Sequence, residues 1–141
     1  MKITIIGLGL IGASIARAAR GLAEITGIDN DQGTIEQALG DGVIKRGGAD
    51  MSLASSSDLV VLAVPVGSII ETAHSVIPHI PDGTAITDTG STKAVIVREM
   101  DAIWPGFVGG HPIAGREIPG YSASQADLFN DTVTIITPSK T

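Results

Sequence analysis

The chain has no cysteine, which excludes disulfides, thiolate nucleophiles and cysteine-ligated metal sites. Aromatic residues are scarce, at 3% against 43% hydrophobic residues in all. The core must therefore be built from Ile, Val, Leu and Ala, the composition of strands buried on both faces. Positive charge is also short. Nine Lys and Arg against fifteen Asp and Glu leave a formal charge of −6, which argues against nucleic acid or an anionic membrane as a partner. No apolar run is long enough to span a bilayer. No metal is expected. At 141 residues the chain reads as a single domain, 1–141. A chain of this size buries roughly 70% of its unfolded surface and needs no staples.

What it has in quantity is glycine, and three of the eighteen organise the first stretch. Lys2 to Ile6 reads as a strand and runs directly into Gly7-Leu8-Gly9-Leu10-Ile11-Gly12, followed by an alanine-rich helical pattern. In a G-x-G-x-x-G turn the first glycine bends the chain off the strand and the second leaves the backbone open to a pyrophosphate. The third lets the helix dock closely, with its N–H groups aimed at the phosphates. The motif alone is weak. Here it lies between strand and helix with an acidic residue, Asp29, downstream, which is the context that dinucleotide binding requires. Lys2, the apolar run and the small residues from Ala13 to Ala19 superficially resemble a secretory signal. The glycines and Asp29 favour instead a strand and helix retained in a cytoplasmic protein.

Further along, Ile11, Ile15, Ala18 and Leu22 recur at helical spacing. Glu24 to Ile28 is a second strand, ending at Asp29-Asn30-Asp31. Asn30 or Asp31 caps a short helix with Ile35, Ala38 and Leu39 on its face and Gly40 past its end. The stretch from Asp41 to Ser57 reads as loop, with a short strand at Val43-Ile44. Asp58 to Val64 is a strand closed by Pro65. Val66, Ile69, Ile70, Ala73 and Ile77 then mark a helix ended by Pro78. Thr84 to Thr87 is a strand. Ile96, Met100 and Ile103 define a helix that stops at Trp104-Pro105. Phe107-Val108 is a short strand, and Thr132 to Thr137 is the last one. Alternating strands and helices imply an α/β fold: a doubly wound parallel sheet of the Rossmann kind, in order 3-2-1-4-5-6, plus an extra C-terminal strand.

Ligands of such sheets bind beyond the carboxyl ends of the strands, where this chain places Gly9, Asp29, Val64-Pro65, Asp88, Ser91 and His111. Asp29 is suited to accept from ribose hydroxyls and so to select NAD; a 2′-phosphate beside it would cost on the order of 1–4 kcal/mol. A histidine side chain titrates near neutral pH and can act as a base. His111 stands before Pro112, in a segment with four glycines between 109 and 120. His74 and His79 lie away from this rim and are given no role. Ser91 sits where a helix cap belongs, and on pattern alone the cap is the stronger reading. Asp88 fits equally well an orienting role and a turn that binds backbone N–H groups. Lys93 reads as a surface lysine.

Three segments in order, Gly7 to Gly12, Thr87-Asp88-Thr89-Gly90-Ser91-Thr92-Lys93 and Gly109-Gly110-His111-Pro112-Ile113-Ala114-Gly115, resemble the prephenate/arogenate dehydrogenases of tyrosine biosynthesis. The ending from Asp127-Leu128-Phe129 to Thr137-Pro138 resembles them too, so the likeness covers essentially the whole chain. It implies NAD-dependent oxidative decarboxylation of a cyclohexadienyl acid, prephenate or arogenate. A histidine matching His111 draws the ring-hydroxyl proton, and a serine matching Ser91 assists it, which reverses the cap reading. Leu8, Leu10, Ile11, Val64, Pro65 and Asp88 join the glycines and Asp29 as expected cofactor contacts. Arg116 stands where the family has a small hydroxyl residue and is expected to meet a substrate carboxylate. Glu117 matches the family's acid. The family continues into a helical domain that dimerises and supplies a substrate-binding arginine. The chain is therefore expected to be the cofactor half of a homodimeric enzyme, binding NAD but turning over poorly alone.

Two rivals remain at this stage. A β-hydroxyacid dehydrogenase shares the first half but lacks His-Pro after the sixth strand and carries its catalytic lysine in a helical domain. An NAD-sensing regulatory domain suits the length but leaves His111 without purpose.

Overall fold

The structure is a computed structural model and describes residues 1–139. Strands β1 (Lys2–Ile6), β2 (Glu24–Ile28), β3 (Arg46–Gly48), β4 (Leu59–Leu62), β5 (Ala85–Asp88), β6 (Phe107–Pro112) and β7 (Thr134–Pro138) form one sheet. Its order is β3-β2-β1-β4-β5-β6-β7. The first six are parallel, and β7 runs antiparallel to β6. This is the expected Rossmann-type sheet with the extra strand on its edge.

Side-chain alternation sorts the core into two layers. Ile3 and Ile5 of β1 and Val61 of β4 face helices α1 (Leu10–Ala18) and α2 (Gln32–Gly40), packing with Ala13, Ala16, Ile35 and Ala38. Ile6, Val60, Leu62 and Ile86 face α3 (Ile69–Val76) and α4 (Ala94–Ile103), meeting Ile69, Val76, Ile96 and Met100. Each fully buried side chain of this kind contributes about 1.5–3 kcal/mol. Trp104 closes the second layer, its indole N–H donating to the Thr84 carbonyl at 2.7 Å.

Several local expectations are corrected. α1 buries Gly12, Ala13, Ser14 and Ala16 rather than the Ile11/Ile15/Ala18/Leu22 stripe, and Leu22 is exposed. The small residues win because they let the helix axis approach the sheet. The third strand lies at Arg46–Gly48, not Val43-Ile44. Val43 and Ile44 insert into the core while their N–H groups bond Ala38 at the end of α2. Ile44 then fills the space over Gly47, where a Cβ would come within 2.7 Å of Cδ1. Of the two cap candidates for α2 the structure uses Asp31, as expected, which accepts from the Gly33 N–H at 3.1 Å and the Thr34 hydroxyl at 2.7 Å. The segment 66–79 is α3 flanked by two short 3-10 turns, with Val66 exposed and Val76 buried. Most relevant to the site, β6 does not stop at Val108. Pairing with β7 carries it through His111, opposite Ile135.

Candidate functional site

The cleft begins at the glycine turn. Gly7 has φ +93, and a Cβ on it would lie 2.5 Å from the Ala63 carbonyl oxygen. At Gly12 a Cβ would lie 1.9 Å from the Gly7 carbonyl oxygen, so the turn and the first turn of α1 touch through bare backbone. Gly9, by contrast, has nothing within 4 Å of a built Cβ and is open to the outside. It is the N-cap of α1, with no side-chain cap and no acidic residue in the first turn. The N–H groups of that turn therefore face outward into a positive helix end, the arrangement that accepts an anion.

Asp29 is half-buried at the end of β2. One carboxylate oxygen accepts from the Leu8 N–H at 2.7 Å and the other from the Asp31 N–H at 2.9 Å. It thus steadies the glycine turn as well as lining a pocket of about 290 Å³ with Gly9, Val64 and Pro65. Leu8 has its side chain buried in the core, and its N–H donates to Asp29.

A second pocket of about 540 Å³ shares Gly9, Ala63, Val64 and Pro65 with the first, so the two form one cleft along the carboxyl rim of the sheet. It brings Leu10 and Ile11, expected as cofactor contacts, together with Ser91, His111 and Arg116, the expected catalytic and substrate residues. His111 is half-buried, whereas Ser91 and Arg116 are exposed. Ser91 is not a helix cap; Lys93 occupies that position, and no side chain caps α4.

Asp88 binds backbone N–H groups, as its turn reading expected. Its carboxylate is wholly buried, accepting from the Gly90 N–H at 2.9 Å and the Gly110 N–H at 3.1 Å and pairing with the Lys93 ammonium. The Asp88 carboxylate is not confined to its own turn, since it also holds Gly110 and Lys93. Nor is Lys93 a surface lysine: its side chain is 13% exposed and also donates to the Gly110 carbonyl at 2.8 Å. A signal for this was present. A cation at a helix N-terminus opposes the macrodipole and calls for an anionic partner close by, and Asp88 stands five residues back.

A second cluster escaped sequence reading altogether. Tyr121 is buried against the α1/α2 layer, its hydroxyl donating to Asp41 at 2.9 Å, with the Arg17 guanidinium 5.0 Å above its ring. Arg17 also donates to the Ser124 hydroxyl at 2.8 Å, and Ser14 accepts from the Gln125 N–H at 3.0 Å. These contacts fasten the chain just beyond the Arg116 loop to the glycine-turn helix. Burial, then the bond to Asp41, pushes the Tyr121 phenol up to about 12.

A family model described as prephenate dehydrogenase, nucleotide-binding domain, matches residues 13–141, beginning just after the glycine turn. The chain is 39% identical to the prephenate dehydrogenase of Bacillus subtilis, over 99% of this chain and 40% of that protein. Among solved structures, arogenate dehydrogenase from Synechocystis superposes with a TM-score of 0.96 at 34% identity, covering 99% of this chain and 51% of that one. Prephenate dehydrogenase from Aquifex aeolicus, solved in complex with hydroxyphenyl propionate and NAD+, gives a TM-score of 0.93 at 32% identity, again over 99% and 51%. The chain thus spans about half or less of the length of the relatives it matches.

Proposed function

The chain belongs to the prephenate dehydrogenase family, as its nucleotide-binding domain, and on that premise we propose that residues 1–141 bind NAD and serve the oxidative decarboxylation of prephenate or arogenate. The observation that carries this reading is the shared cleft: Ser91, His111 and Arg116 line the same depression as Gly9 and Leu10.

The residues present fit the cofactor. Open Gly9 and the uncapped first turn of α1 suit a pyrophosphate, and Asp29 suits ribose hydroxyls. When bound, NAD supplies the hydride acceptor for the carbinol carbon, and loss of carbon dioxide leaves the substrate ring aromatic. His111 takes the proton of the ring hydroxyl, and Ser91 holds that hydroxyl and the imidazole in line. Arg116 pairs with a substrate carboxylate. Orientation is the protein's main contribution. The same reading makes the protein a cytoplasmic homodimer, joined through sequence beyond this domain.

Titration of the chain with NAD tests the binding half of the proposal, and saturable binding is expected. The full-length protein, given NAD with prephenate or arogenate, is expected to raise the absorbance of reduced cofactor. Absence of NAD binding would sink the proposal. Unchanged substrate KM in Arg116→Ala would remove Arg116 from it.

A further inference from the structure

The proton and hydride steps proposed above do not use the Asp88–Lys93 ion pair, yet it grips the backbone beside both candidate catalytic residues. The β5–β6 ladder ends at Thr87 opposite Val108. Beyond that point the Asp88 side chain takes over from the ladder, accepting from the Gly110 N–H, while Lys93 donates to the Gly110 carbonyl. Both polar groups of the residue before His111 are thus held by one pair. The second Asp88 oxygen binds the N–H of Gly90, the residue before Ser91. The approach leaves no slack, since a Cβ on Gly110 would come within 2.7 Å of the Asp88 carbonyl oxygen.

A buried ion pair is weak evidence for stability, because matched apolar groups often replace one without loss. Charge-assisted bonds are short and directional, so what such a pair fixes well is geometry. We propose that Asp88 and Lys93 are positioning residues that set His111 and Ser91 relative to each other. The inference rests on the roles proposed above for those two residues. From the other side β7 holds His111 through the Ile135 pairing, so the strand end is fixed on both edges.

The test uses the full-length enzyme with NAD and whichever of prephenate or arogenate it turns over. Lys93→Met alone would strand a buried carboxylate and risks unfolding. The double variant Asp88→Asn/Lys93→Met removes both charges. Its kcat is expected to fall about a hundredfold, with substrate KM and NAD Kd unchanged, because displacing a catalytic group by about 1 Å costs that much. Lys93→Arg keeps the charge and the donors and is expected to recover most of the rate, while the shorter, neutral Lys93→Gln is not. A folded double variant with wild-type kcat overturns the inference. So does Lys93→Gln at wild-type kcat, and this comparison decides alone should the double variant fail to melt cooperatively. His111→Asn separates the two levels. If it is inactive beside an active wild type, the proposed function stands and the Lys93 variants judge the positioning claim. If the wild type does not turn over, both fall.

Discussion

The two ends of the cleft are built on different principles. At the glycine-turn end the work is done by backbone: open Gly9, the bare contact between Gly7 and Gly12, and an uncapped helix. At the His111 end it is done by side chains whose places depend on residues far along the chain. The Asp88–Lys93 pair holds the Gly110 backbone next to His111, and the Tyr121 cluster fastens the chain just beyond the loop that carries Arg116. A backbone device is written locally and tolerates change nearby. A side-chain device needs several elements folded at once. The first end should therefore fail through sterics and the second through loss of chemistry or alignment.

The sharpest contrast comes from His111→Asn, which should lower kcat by roughly 10²- to 10⁴-fold while NAD binding persists. Steady-state rates and an NAD titration check both halves, and loss of NAD affinity in this variant would merge the two ends. Gly12→Ala should do the opposite. A Cβ 1.9 Å from the Gly7 oxygen forces the turn apart, at a cost of about 3 kcal/mol or more in stability and with loss of NAD binding. A melt and the same titration would show it, and near-wild-type behaviour would mean the close backbone contact is dispensable.

Asp29→Asn probes the carboxylate that lines the pocket at the glycine end. NADP should gain about tenfold in affinity relative to NAD as the carboxylate's repulsion of a 2′-phosphate is removed. An unchanged NADP/NAD ratio would leave Asp29 with only its role of steadying the turn. The smallest effect is expected from Tyr121→Phe, a loss of about 1 kcal/mol for one hydrogen bond. It carries a pH signature. The folded phenol is raised from 10.0 to about 12, so the folded state keeps a proton that the unfolded chain releases first. That stabilisation is complete below pH 10 and is lost as pH climbs through about 12, so the wild type should show an alkaline decline in melting temperature that Tyr121→Phe lacks.

Legibility in the sequence follows the same division. The glycine turn is a short-range pattern and could be read directly, the sheet order followed from the alternation of strands and helices, and the α2 cap was narrowed to Asn30 or Asp31. His111 and Ser91 were visible through their neighbours in sequence and through resemblance. Lys93 was misread, and the reach of Asp88 beyond its own turn was missed, because their shared partner Gly110 lies seventeen and twenty-two residues away. Nor could the reach of β6 through Pro112 be foreseen, since Gly-Gly-His-Pro has no strand propensity and is held by β7. The α1 face was misjudged because counting large apolar residues ignores how close a row of Gly and Ala lets a helix come.

The scarcity of aromatics also has an optical consequence. The single tryptophan, Trp104, is buried between α4 and β5, with its indole N–H tied to Thr84, while the single tyrosine, Tyr121, belongs to the opposite layer. Excited at long wavelength, emission therefore comes from the α3/α4 face alone. The two faces of the sheet can be followed separately during unfolding without attaching any label.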